Sequence, residues 1–301
     1  MSGGLPDSLR VSVEHGLARL GFGHRIVAYE PVGGGCIHNG TRVVTDQGIE
    51  RFLKWNESPT PGMFAAEAAG LDALRNACDL HIPEPYAWSD GEDGRAAWIL
   101  MEFVEPGRSS AQSSRGLGEG LARLHLTSDM ESFGWSRDNW IGSLPQANPE
   151  MASWGAFWRD ARLRPQIEMA RGKGRLEDDR LDRVLEDTAA ALADVERPGL
   201  LHGDLWSGNA FTSHAGRPVL VDPAVYRGDG EVDLAMSELF GGFAAEFYAA
   251  YGSARPISHE YDAFRRDLYQ LYYLLVHVNL FGASYEASAL EAAIRVLRAR
   301  A

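Results

Sequence analysis

The sequence predicts an α+β protein of two lobes: an N-terminal antiparallel sheet with one main helix, and a mostly helical C-terminal lobe. Short apolar runs separated by turn residues fill the first third of the chain, as expected of paired strands. After Pro106 and Gly107, apolar residues recur at helical spacing instead. The 301 residues suffice for two such units, and we place the boundary between residues 1–104 and 105–301.

The N-terminal lobe has the predicted order β-β-β-α-β-β after a short leading helix. In that helix, over residues 7–21, Asp7 is a candidate cap, and Leu9, Val13 and Leu17 share one face. Turn residues separate the segments that follow. The predicted elements are strands at Ile26–Val32, 41–45 and 49–55, the main helix at Met63–Ala77, and two strands on either side of a turn at 90–94, the second over 96–104.

The C-terminal lobe contains six segments with helical periodicity and one exception to it. An island rich in apolar residues, Gly and Asp interrupts the helices at 199–222, and a short apolar strand ends it just before Asp222. Helices are predicted near 111–127, 151–170, 177–195, 231–250, 258–281 and 285–300.

Charge and composition exclude several functions. With 29 Lys and Arg against 42 Asp and Glu, the net charge is −13, which argues against nucleic acid or an anionic membrane as a partner. No apolar run reaches the about 18 residues that a membrane-spanning helix needs, and the first residues lack an apolar signal core. Cys36 and Cys78 give neither a disulfide framework nor a zinc spacing. These features predict a cytoplasmic enzyme.

Lysine usage singles out one residue. Of the 29 basic residues, 27 are Arg and only Lys54 and Lys173 are Lys. Lys173 lies in a Gly-rich turn, where a surface position explains it, whereas Lys54 lies in an apolar strand. Because an ammonium is a compact point charge and a guanidinium is not, Lys54 is a candidate for a chemical role, with chance as the alternative.

The island at 199–222 contains three polar residues at an informative spacing. Asn209 follows Asp204 by five residues, and Asp222 ends the next apolar strand. Phosphoryl transfer needs a carboxylate to accept the proton of the attacking hydroxyl and oxygen ligands for Mg²⁺. The catalytic loop of kinases supplies them as Asp, then Asn five residues later, then a further Asp. The alternative is a pair of ordinary turn residues, since this spacing alone is common.

A glycine-rich turn earlier in the chain is a candidate for covering a nucleotide. It joins two predicted strands and contains Gly33, Gly34, Gly35 and Cys36, with a further glycine at Gly40. Backbone N–H groups in such a turn can face phosphates. The turn matches neither of the familiar glycine-rich phosphate-binding patterns fully, so it is weak evidence by itself.

The order of these features strengthens the hypothesis of a kinase. Lys54 lies on the third strand after the glycine-rich turn, and Glu67 lies early in the next helix, where it could pair with Lys54 or simply be solvated. The last N-terminal strand ends at residues 101–104, where Glu102 and Val104 occupy the position of an adenine-contacting hinge. Turn, lysine, glutamate, hinge, Asp204, Asn209 and Asp222 thus follow one another in kinase order.

Departures from the protein-kinase pattern point to a small acceptor. No Arg precedes Asp204 in the loop, and Asp222 is followed by Pro and Ala rather than Phe and Gly. Residues 231–239 are already predicted to be helical, which leaves no room for a long peptide-binding segment. A small-molecule hydroxyl is therefore the better acceptor.

The chain resembles the fructosamine kinase (ketosamine-3-kinase) family, within the aminoglycoside and choline kinase-like group of the protein-kinase-like fold. The resemblance runs from about Val32 to Phe243. Its most specific segments are 33–37, 138–146, 154–166, 202–209 and 231–242. It implies ATP- and Mg²⁺-dependent phosphorylation of the 3-hydroxyl of a ketosamine, a sugar adduct of an amine. The phosphate so formed is prone to elimination, which releases the amine.

The resemblance also implies roles for individual residues. Asp204 would be the catalytic base, and Asn209 and Asp222 the Mg²⁺ ligands. Lys54 would contact the nucleotide phosphates with Glu67 as its partner. Backbone at Glu102 and Val104 would hold adenine. Apart from the resemblance, the turn from Gly33 to Cys36 is the candidate for the phosphates, and Trp206 and His202 are candidates for contact with the acceptor.

Tryptophan placement gives modest independent support for a ketosamine. Trp135, Trp140, Trp154 and Trp158 fall in one 24-residue stretch, and Trp206 follows Asp204 by two residues. Aromatic faces suit sugar C–H groups and amine cations. We predict that Trp206 is a pocket wall, whereas Trp154 and Trp158 belong to the core.

Several alternatives remain open at this point. The acceptor could be an aminoglycoside or choline rather than a ketosamine, and it could be a free amine adduct or a glycated protein. An inactive pseudokinase is disfavoured because Lys54, Asp204, Asn209 and Asp222 are all present. Cys36 is either a redox-sensitive thiol, which would allow a disulfide-linked dimer beside the monomer, or a small residue tolerated in a tight turn.

Overall fold

The computed structural model describes residues 5–33, 39–58, 60–91, 96–127 and 131–301. The prediction of an α+β fold is confirmed: an antiparallel sheet forms the N-terminal part, and helices dominate after residue 105. The first-lobe strands pair in the order β1-β2-β3-β5-β4. They are β1 (Ile26–Val32), β2 (Asn39–Thr45), β3 (Glu50–Asn56), β4 (Pro85–Ser89) and β5 (Ala97–Glu102).

Two helices, rather than one, cover this sheet. Helix α1 (Asp7–Leu20) packs on one face, where its buried Leu9 and Val13 share a cluster with Leu53 and Leu100. Helix α2 (Met63–Ala77) packs on the opposite face. Strand β5 is buried on both faces because it lies between the two helices. Successive residues of β3 alternate between these faces, so Leu53 faces α1 while Lys54 faces α2.

The leading helix begins differently from the prediction. Asp7 is its first residue, Pro6 occupies the N-cap position, and no side chain caps it. Proline suits the start of a helix because its fixed φ is preorganised for the turn that follows. Asp7 instead places an acidic charge in the first turn, where it interacts favourably with the helix dipole.

The second lobe is built from helices around a buried aromatic core. Trp154 and Trp158 are both fully buried, with ring centroids 5.3 Å apart, which confirms that they belong to the core. The helices are α3 (Ala111–Leu126), α4 (Trp154–Phe157), α5 (Arg164–Gly172), α6 (Asp179–Ala191), α7 (Glu231–Leu239), α8 (Ala245–Ala254), α9 (Arg266–Phe281) and α10 (Glu286–Ala299).

Three of the predicted helices are wrong in their continuity. The segment predicted at 231–250 is two helices, because Gly241 and Gly242 adopt φ of 106° and 72° between them. Wider π-helical turns interrupt the other two, at Trp158–Leu163 and at Tyr261–Arg265. Each π turn holds a buried arginine, Arg162 and Arg265 respectively. A wider turn is a frequent feature of functional sites.

Short hairpins carry the functional loops of this lobe. A hairpin that the sequence did not predict joins β6 (Asn139–Ile141) to β7 (Leu144–Gln146). The island at 199–222 contains three strands, and a fourth follows it. They are β8 (Gly199–Leu201), β9 (Ala210–Thr212), β10 (Pro218–Leu220) and β11 (Tyr226–Gly228), of which β8 pairs with β11 and β9 with β10.

Backbone hydrogen bonds connect the two lobes in addition to the segment of chain that joins them after β5. His81 accepts from Leu220 at 3.1 Å and donates to Pro218 at 3.2 Å, so the segment after α2 pairs with β10. After the crossing, Gly107 donates to Thr212 at 2.7 Å. Among the described residues, no helix combines the length and apolar character that crossing a bilayer requires.

Candidate active site

The loop between β8 and β9 brings Asp204 and Asn209 together. Asn209 donates through Nδ2 to the Asp204 carboxylate at 3.1 Å and to its backbone carbonyl at 2.9 Å. The spacing of five residues is therefore one closed turn, in which the amide locks the carboxylate. The amide oxygen of Asn209 remains as its second polar atom.

Asp233 fixes the start of this loop. Its carboxylate is fully buried and accepts from backbone N–H of His202 at 2.7 Å, from backbone N–H of Gly203 at 2.9 Å, and from His125 Nε2 at 3.0 Å. These three donors hold the pKa of Asp233 below its ordinary value despite burial. Tyr273 adds a bond from its hydroxyl to the Gly203 carbonyl at 2.7 Å.

Gly203 is required at its position for two reasons. Its φ of 83° is in the left-handed region, which other residues rarely adopt. A Cβ there would also lie 2.1 Å from the Ala224 carbonyl oxygen. The catalytic loop therefore approaches the segment after Asp222 as closely as two backbones can.

Lys54, Glu67 and Asp222 form one ionic cluster, in which Lys54 and Glu67 are buried and Asp222 is partly exposed to the cavity. Lys54 Nζ lies 2.9 Å from both carboxylate oxygens of Glu67 and 3.0 Å from Asp222 Oδ1. Strand β3 supplies the lysine, α2 the glutamate and the second residue after β10 the aspartate, so the cluster joins the two lobes. Asp222 itself has a φ of 54°, an uncommon conformation that marks a functional constraint.

The surroundings shift the pKa values of these groups. Burial, with the nearby charge of Asp222, raises the pKa of Asp204 to about 7, which suits a group that accepts and releases a proton. The two carboxylates raise the pKa of Lys54 above its ordinary value although burial opposes this. Burial raises the pKa of Glu67, and Lys54 opposes that rise.

A cavity of about 440 Å³ lies between the lobes and contacts most of the predicted residues. Residues 101–104, including Glu102 and Val104, line it. Lys54, Asp204 and Asp222 line it as well. Apolar side chains at the hinge end would enclose a flat base, and backbone groups there supply its polar partners.

Two tryptophans line the cavity. Trp206 lines it, and a Cβ on Gly208 would come within 2.4 Å of the Trp206 ring, so this glycine makes room for the indole. Trp140, the middle residue of β6, lines the same cavity. The sequence pointed to Trp206 through its distance from Asp204, but Trp140 depends on a hairpin that was not predicted.

His202 does not reach the cavity. Its ring is fully buried, with Nε2 donating to the Val221 carbonyl at 2.9 Å and Nδ1 accepting from the Asp204 backbone at 3.3 Å. The prediction that His202 contacts the acceptor is therefore corrected: it shapes the loop from behind. Of the predicted glycine-rich turn, Gly33 lines the cavity, whereas Gly34, Gly35 and Cys36 lie outside the described residues.

The donor set fits Mg²⁺. Asn209 can offer its amide oxygen to the metal, and Asp222 can offer its carboxylate. Both residues line the cavity. Mg²⁺ is usually held by one or two carboxylates together with substrate phosphates rather than by a protein cage. Consistent with this, the described residues contain no cluster of three or more His, Cys, Asp or Glu side chains that could hold a metal alone.

Sequence reasoning missed Asp233 and Tyr273, which act behind the catalytic loop. The available signal for Asp233 was an acidic residue on the apolar helix 231–239, since a buried carboxylate needs donors. Tyr273 gave no such signal, because a tyrosine in an apolar helix resembles any core residue.

Comparison with known proteins finds relatives over most of the chain. A family model described as fructosamine kinase matches residues 13–299. A Synechocystis protein named "Probable ketoamine kinase" is 41% identical over 276 residues, which cover 91% of this chain and 92% of that protein. A chloroplastic protein-ribulosamine 3-kinase of Arabidopsis thaliana is 39% identical over 263 residues, covering 86% and 79%.

Solved structures show the same fold. A Thermobifida fusca protein assigned as a fructosamine-3-kinase is 33% identical with a TM-score of 0.82, over 93% of this chain and 98% of that one. A Haemophilus somnus protein with the same assignment has a TM-score of 0.85 at 26% identity, over 95% and 96%. An aminoglycoside phosphotransferase bound to AMP-PNP and hygromycin B shares the fold, with a TM-score of 0.64 at 15% identity, over 96% and 99%.

Proposed function

The chain belongs to the fructosamine kinase family, and from this premise we propose that it transfers the γ-phosphoryl group of ATP to the 3-hydroxyl of a ketosamine. The family accounts for the use of ATP. The ketosamine acceptor is supported by relatives named ketoamine kinase and protein-ribulosamine 3-kinase. The observation that carries the proposal is the meeting of Asp204, the Lys54 cluster and Trp206 at one cavity.

Asp204 is the catalytic base in this proposal. The acceptor hydroxyl attacks the γ-phosphorus, its proton moves to the Asp204 carboxylate, and the bond between the γ-phosphorus and the β,γ-bridging oxygen breaks to release ADP. The bond from Asn209 holds the carboxylate in one orientation. Positioning of this kind supplies much of the rate enhancement in phosphoryl transfer, because the reaction demands little covalent chemistry of the protein.

Lys54 places a fixed positive charge beside the nucleotide phosphates. Its bonds to Glu67 and Asp222 leave a buried ammonium that needs no reorganisation when negative charge develops. Asn209 and Asp222 would hold Mg²⁺, which when bound neutralises charge on the phosphate oxygens. Residues 101–104 hold adenine through backbone groups, and Gly33 contributes to the cover over the phosphates.

The aromatic end of the cavity receives the acceptor. Trp206 and Trp140 offer ring faces that suit both the C–H face of a sugar and an amine cation. A net charge of −13 would attract a cationic acceptor over a distance. The location of the protein in the cytoplasm and its state as a monomer or redox-sensitive dimer stay predictions.

ADP release with a panel of acceptors tests the proposal. Ribulosyl-lysine, fructosyl-lysine, choline and kanamycin are each supplied with ATP, with Mg²⁺ or with EDTA. We expect Mg²⁺-dependent turnover on the ketosamines and a loss of at least about 100-fold in Asp204→Asn, the scale of a general base. Turnover confined to choline or kanamycin would refute the acceptor, and nucleotide binding without any turnover would favour a binding module.

The stability of the product shows which hydroxyl of the ketosamine is phosphorylated. Phosphorylation at the 3-hydroxyl places a leaving group on the carbon next to the C2 carbonyl. Loss of a proton from C1 gives an enol that expels the phosphate from C3, and water then hydrolyses the resulting C1 imine, so the product should release its amine over time. Release of free lysine after the kinase reaction, followed by amino-acid analysis, supports the 3-position. A stable phosphorylated adduct would place the phosphate on another hydroxyl.

A further inference from the structure

A buried arginine lies beneath the hairpin β6–β7 without an acidic partner among the described residues. Arg162 has no exposed surface and stacks on Tyr226, whose ring centroid is 4.0 Å from its guanidinium carbon. It donates to the carbonyls of Ala147 at 2.7 Å and Ala161 at 3.0 Å, and to Asn148 Oδ1 at 2.6 Å. Burying a cation this way is costly, so its retention calls for a reason.

The guanidinium determines the direction of a chain of hydrogen bonds between side-chain amides. Because Arg162 can only donate, Asn148 must present its oxygen to it and donate through Nδ2. That group donates to Asn139 Oδ1 at 3.0 Å. Asn139 in turn donates through Nδ2 to the Val225 carbonyl at 2.8 Å. An amide can otherwise bond in either of two flipped orientations, and a donor-only neighbour removes that choice.

A second arm reinforces the same direction. The Tyr272 hydroxyl donates to Gln146 Oε1 at 2.6 Å, and Gln146 Nε2 donates to Asn139 Oδ1 at 2.8 Å and to the Ala224 carbonyl at 3.3 Å. Asn139 Oδ1 thus accepts twice. Both arms end on the backbone of Ala224 and Val225.

That backbone directly follows Asp222. Ala224 also donates to the His202 carbonyl at 2.9 Å, so it connects Asp222 to the catalytic loop. The left-handed φ of Asp222 persists only where its surroundings hold it, and the two carbonyls held by the network lie two and three residues away. Asn139 also precedes Trp140, which lines the acceptor end of the cavity.

We propose that Arg162 and Asn148 are positioning residues that act through Asn139 on Asp222. Arg162 fixes the direction of the amide chain, and the chain holds residues 224–225 so that the Asp222 carboxylate keeps its place at the cavity. The hairpin bearing Trp140 and the Asp222 segment become one rigid unit. The inference rests on the role proposed above for Asp222 in holding Mg²⁺.

The substitution Asn148→Asp changes the direction of these hydrogen bonds while maintaining the stability of the fold. The new carboxylate gives Arg162 an anionic partner, which maintains the fold. It can no longer donate to Asn139 Oδ1, and the two oxygens would face each other. We expect Asn139 to turn its Nδ2 toward the new carboxylate, which takes the donor from the Val225 carbonyl and the acceptor from Gln146 Nε2. The chain of bonds is inverted while the guanidinium stays paired.

Calorimetric binding of AMP-PNP supplies the readout without any acceptor. The measured quantity is the gain in affinity due to Mg²⁺, the ratio of Kd in EDTA to Kd with saturating Mg²⁺. We expect Asn148→Asp to reduce this gain by about 10- to 100-fold, the usual cost of losing a partner behind a metal ligand. The Kd in EDTA and the thermal midpoint should stay close to those of the unaltered protein. Because no acceptor is present, failure of the ketosamine assignment would leave this result unaffected.

Two further variants control the experiment. Asn279→Asp makes the same change at another buried amide, which donates to Gln166 Oε1 at 2.8 Å away from the cavity; it should lower stability and leave the Mg²⁺-linked gain intact. Tyr272→Phe removes one hydroxyl from the second arm and should reduce the gain in the same direction by a smaller factor. An undiminished gain in Asn148→Asp, or an equal loss in Asn279→Asp, would overturn the proposal.

Discussion

Replacing Asp233 by Asn tests whether one buried carboxylate holds the catalytic loop. The substitution is nearly isosteric, but it exchanges an acceptor oxygen for an NH₂ group. In the native protein Oδ2 accepts from His202 N–H and His125 Nε2, while Oδ1 accepts from Gly203 N–H. If the amide oxygen takes the place of Oδ2, the new NH₂ faces Gly203 N–H, donor against donor.

The magnitude follows from these bonds. Losing a hydrogen bond to a charged group costs about 1.5–3 kcal/mol, and leaving the buried Gly203 N–H without an acceptor adds about 1–3 kcal/mol. We therefore expect Asp233→Asn to lower the free energy of unfolding by about 3–5 kcal/mol. The loop would then be held mainly by the bond from Tyr273 to the Gly203 carbonyl. Turnover per folded molecule should therefore also fall.

Urea unfolding at pH 7.5, followed by tryptophan fluorescence, measures the change. The control is Asp182→Asn, which removes a carboxylate bonded to Arg171 on the surface and should change the free energy of unfolding by less than about 1 kcal/mol. A loss below about 1 kcal/mol in Asp233→Asn would refute the reasoning, because the three donors would then have found other acceptors.

Four further outcomes are expected. Lys54→Met should abolish turnover and lower the free energy of unfolding by about 3–5 kcal/mol, because Glu67 and Asp222 lose their buried cation. Adding Glu67→Gln to this variant should recover stability in urea unfolding without recovering turnover. Gly203→Ala should prevent folding or activity. Gly48→Ala is the control, since Gly48 has a φ of 74° but no atom within 4 Å of the new Cβ, and it should lower the free energy of unfolding by only about 1 kcal/mol in the same assay. Equal losses in the two variants would contradict the close approach of Gly203 to Ala224. Burial lowers the pKa values of His125 and His202, whereas it raises the pKa values of Asp204 and Glu67 to about 7. Below about pH 6.5 the two histidines therefore favour the unfolded chain, while the two carboxyls favour the folded protein. Asp204→Asn removes one of the opposing carboxyls, so its thermal midpoint should fall more steeply between pH 7 and 5 than that of the unaltered protein, and parallel profiles would contradict this. Trp206→Ala should raise KM for the acceptor and leave KM for ATP unchanged in steady-state kinetics, and an equal rise in both would remove Trp206 from the acceptor end.

Much of the N-terminal lobe could be predicted because its determinants are local. Alternating apolar residues and turn signals locate β1 to β5, and the spacing of apolar residues locates α2. The neighbours Lys54 and Glu67 followed from their order along the chain, since a strand and the next helix pack against each other. That Asp222 completes the cluster depends on the contact between lobes, which no local pattern encodes.

Breaks in the helices show where local signals fail. Helical periodicity continues across 231–250, but Gly241 and Gly242 turn the chain so that α8 packs on α3. The π turn at Trp158–Leu163 adds a residue to one turn and places Arg162 in the core. A wider turn has almost the same apolar spacing as an α-helix, so only the surrounding packing decides between them.

The sequence by itself determined the fold class, the family and the polar residues Lys54, Asp204 and Asp222 that meet at the cavity, because motif spacing constrains the chemistry directly. Tertiary structure decided what stands behind them. His202 turned out to be buried, Asp233 to accept from the catalytic loop, and Arg162 to direct a chain of amides. Which atoms face a buried polar group depends on segments far apart in the chain, so partners of this kind appear only once those segments pack together.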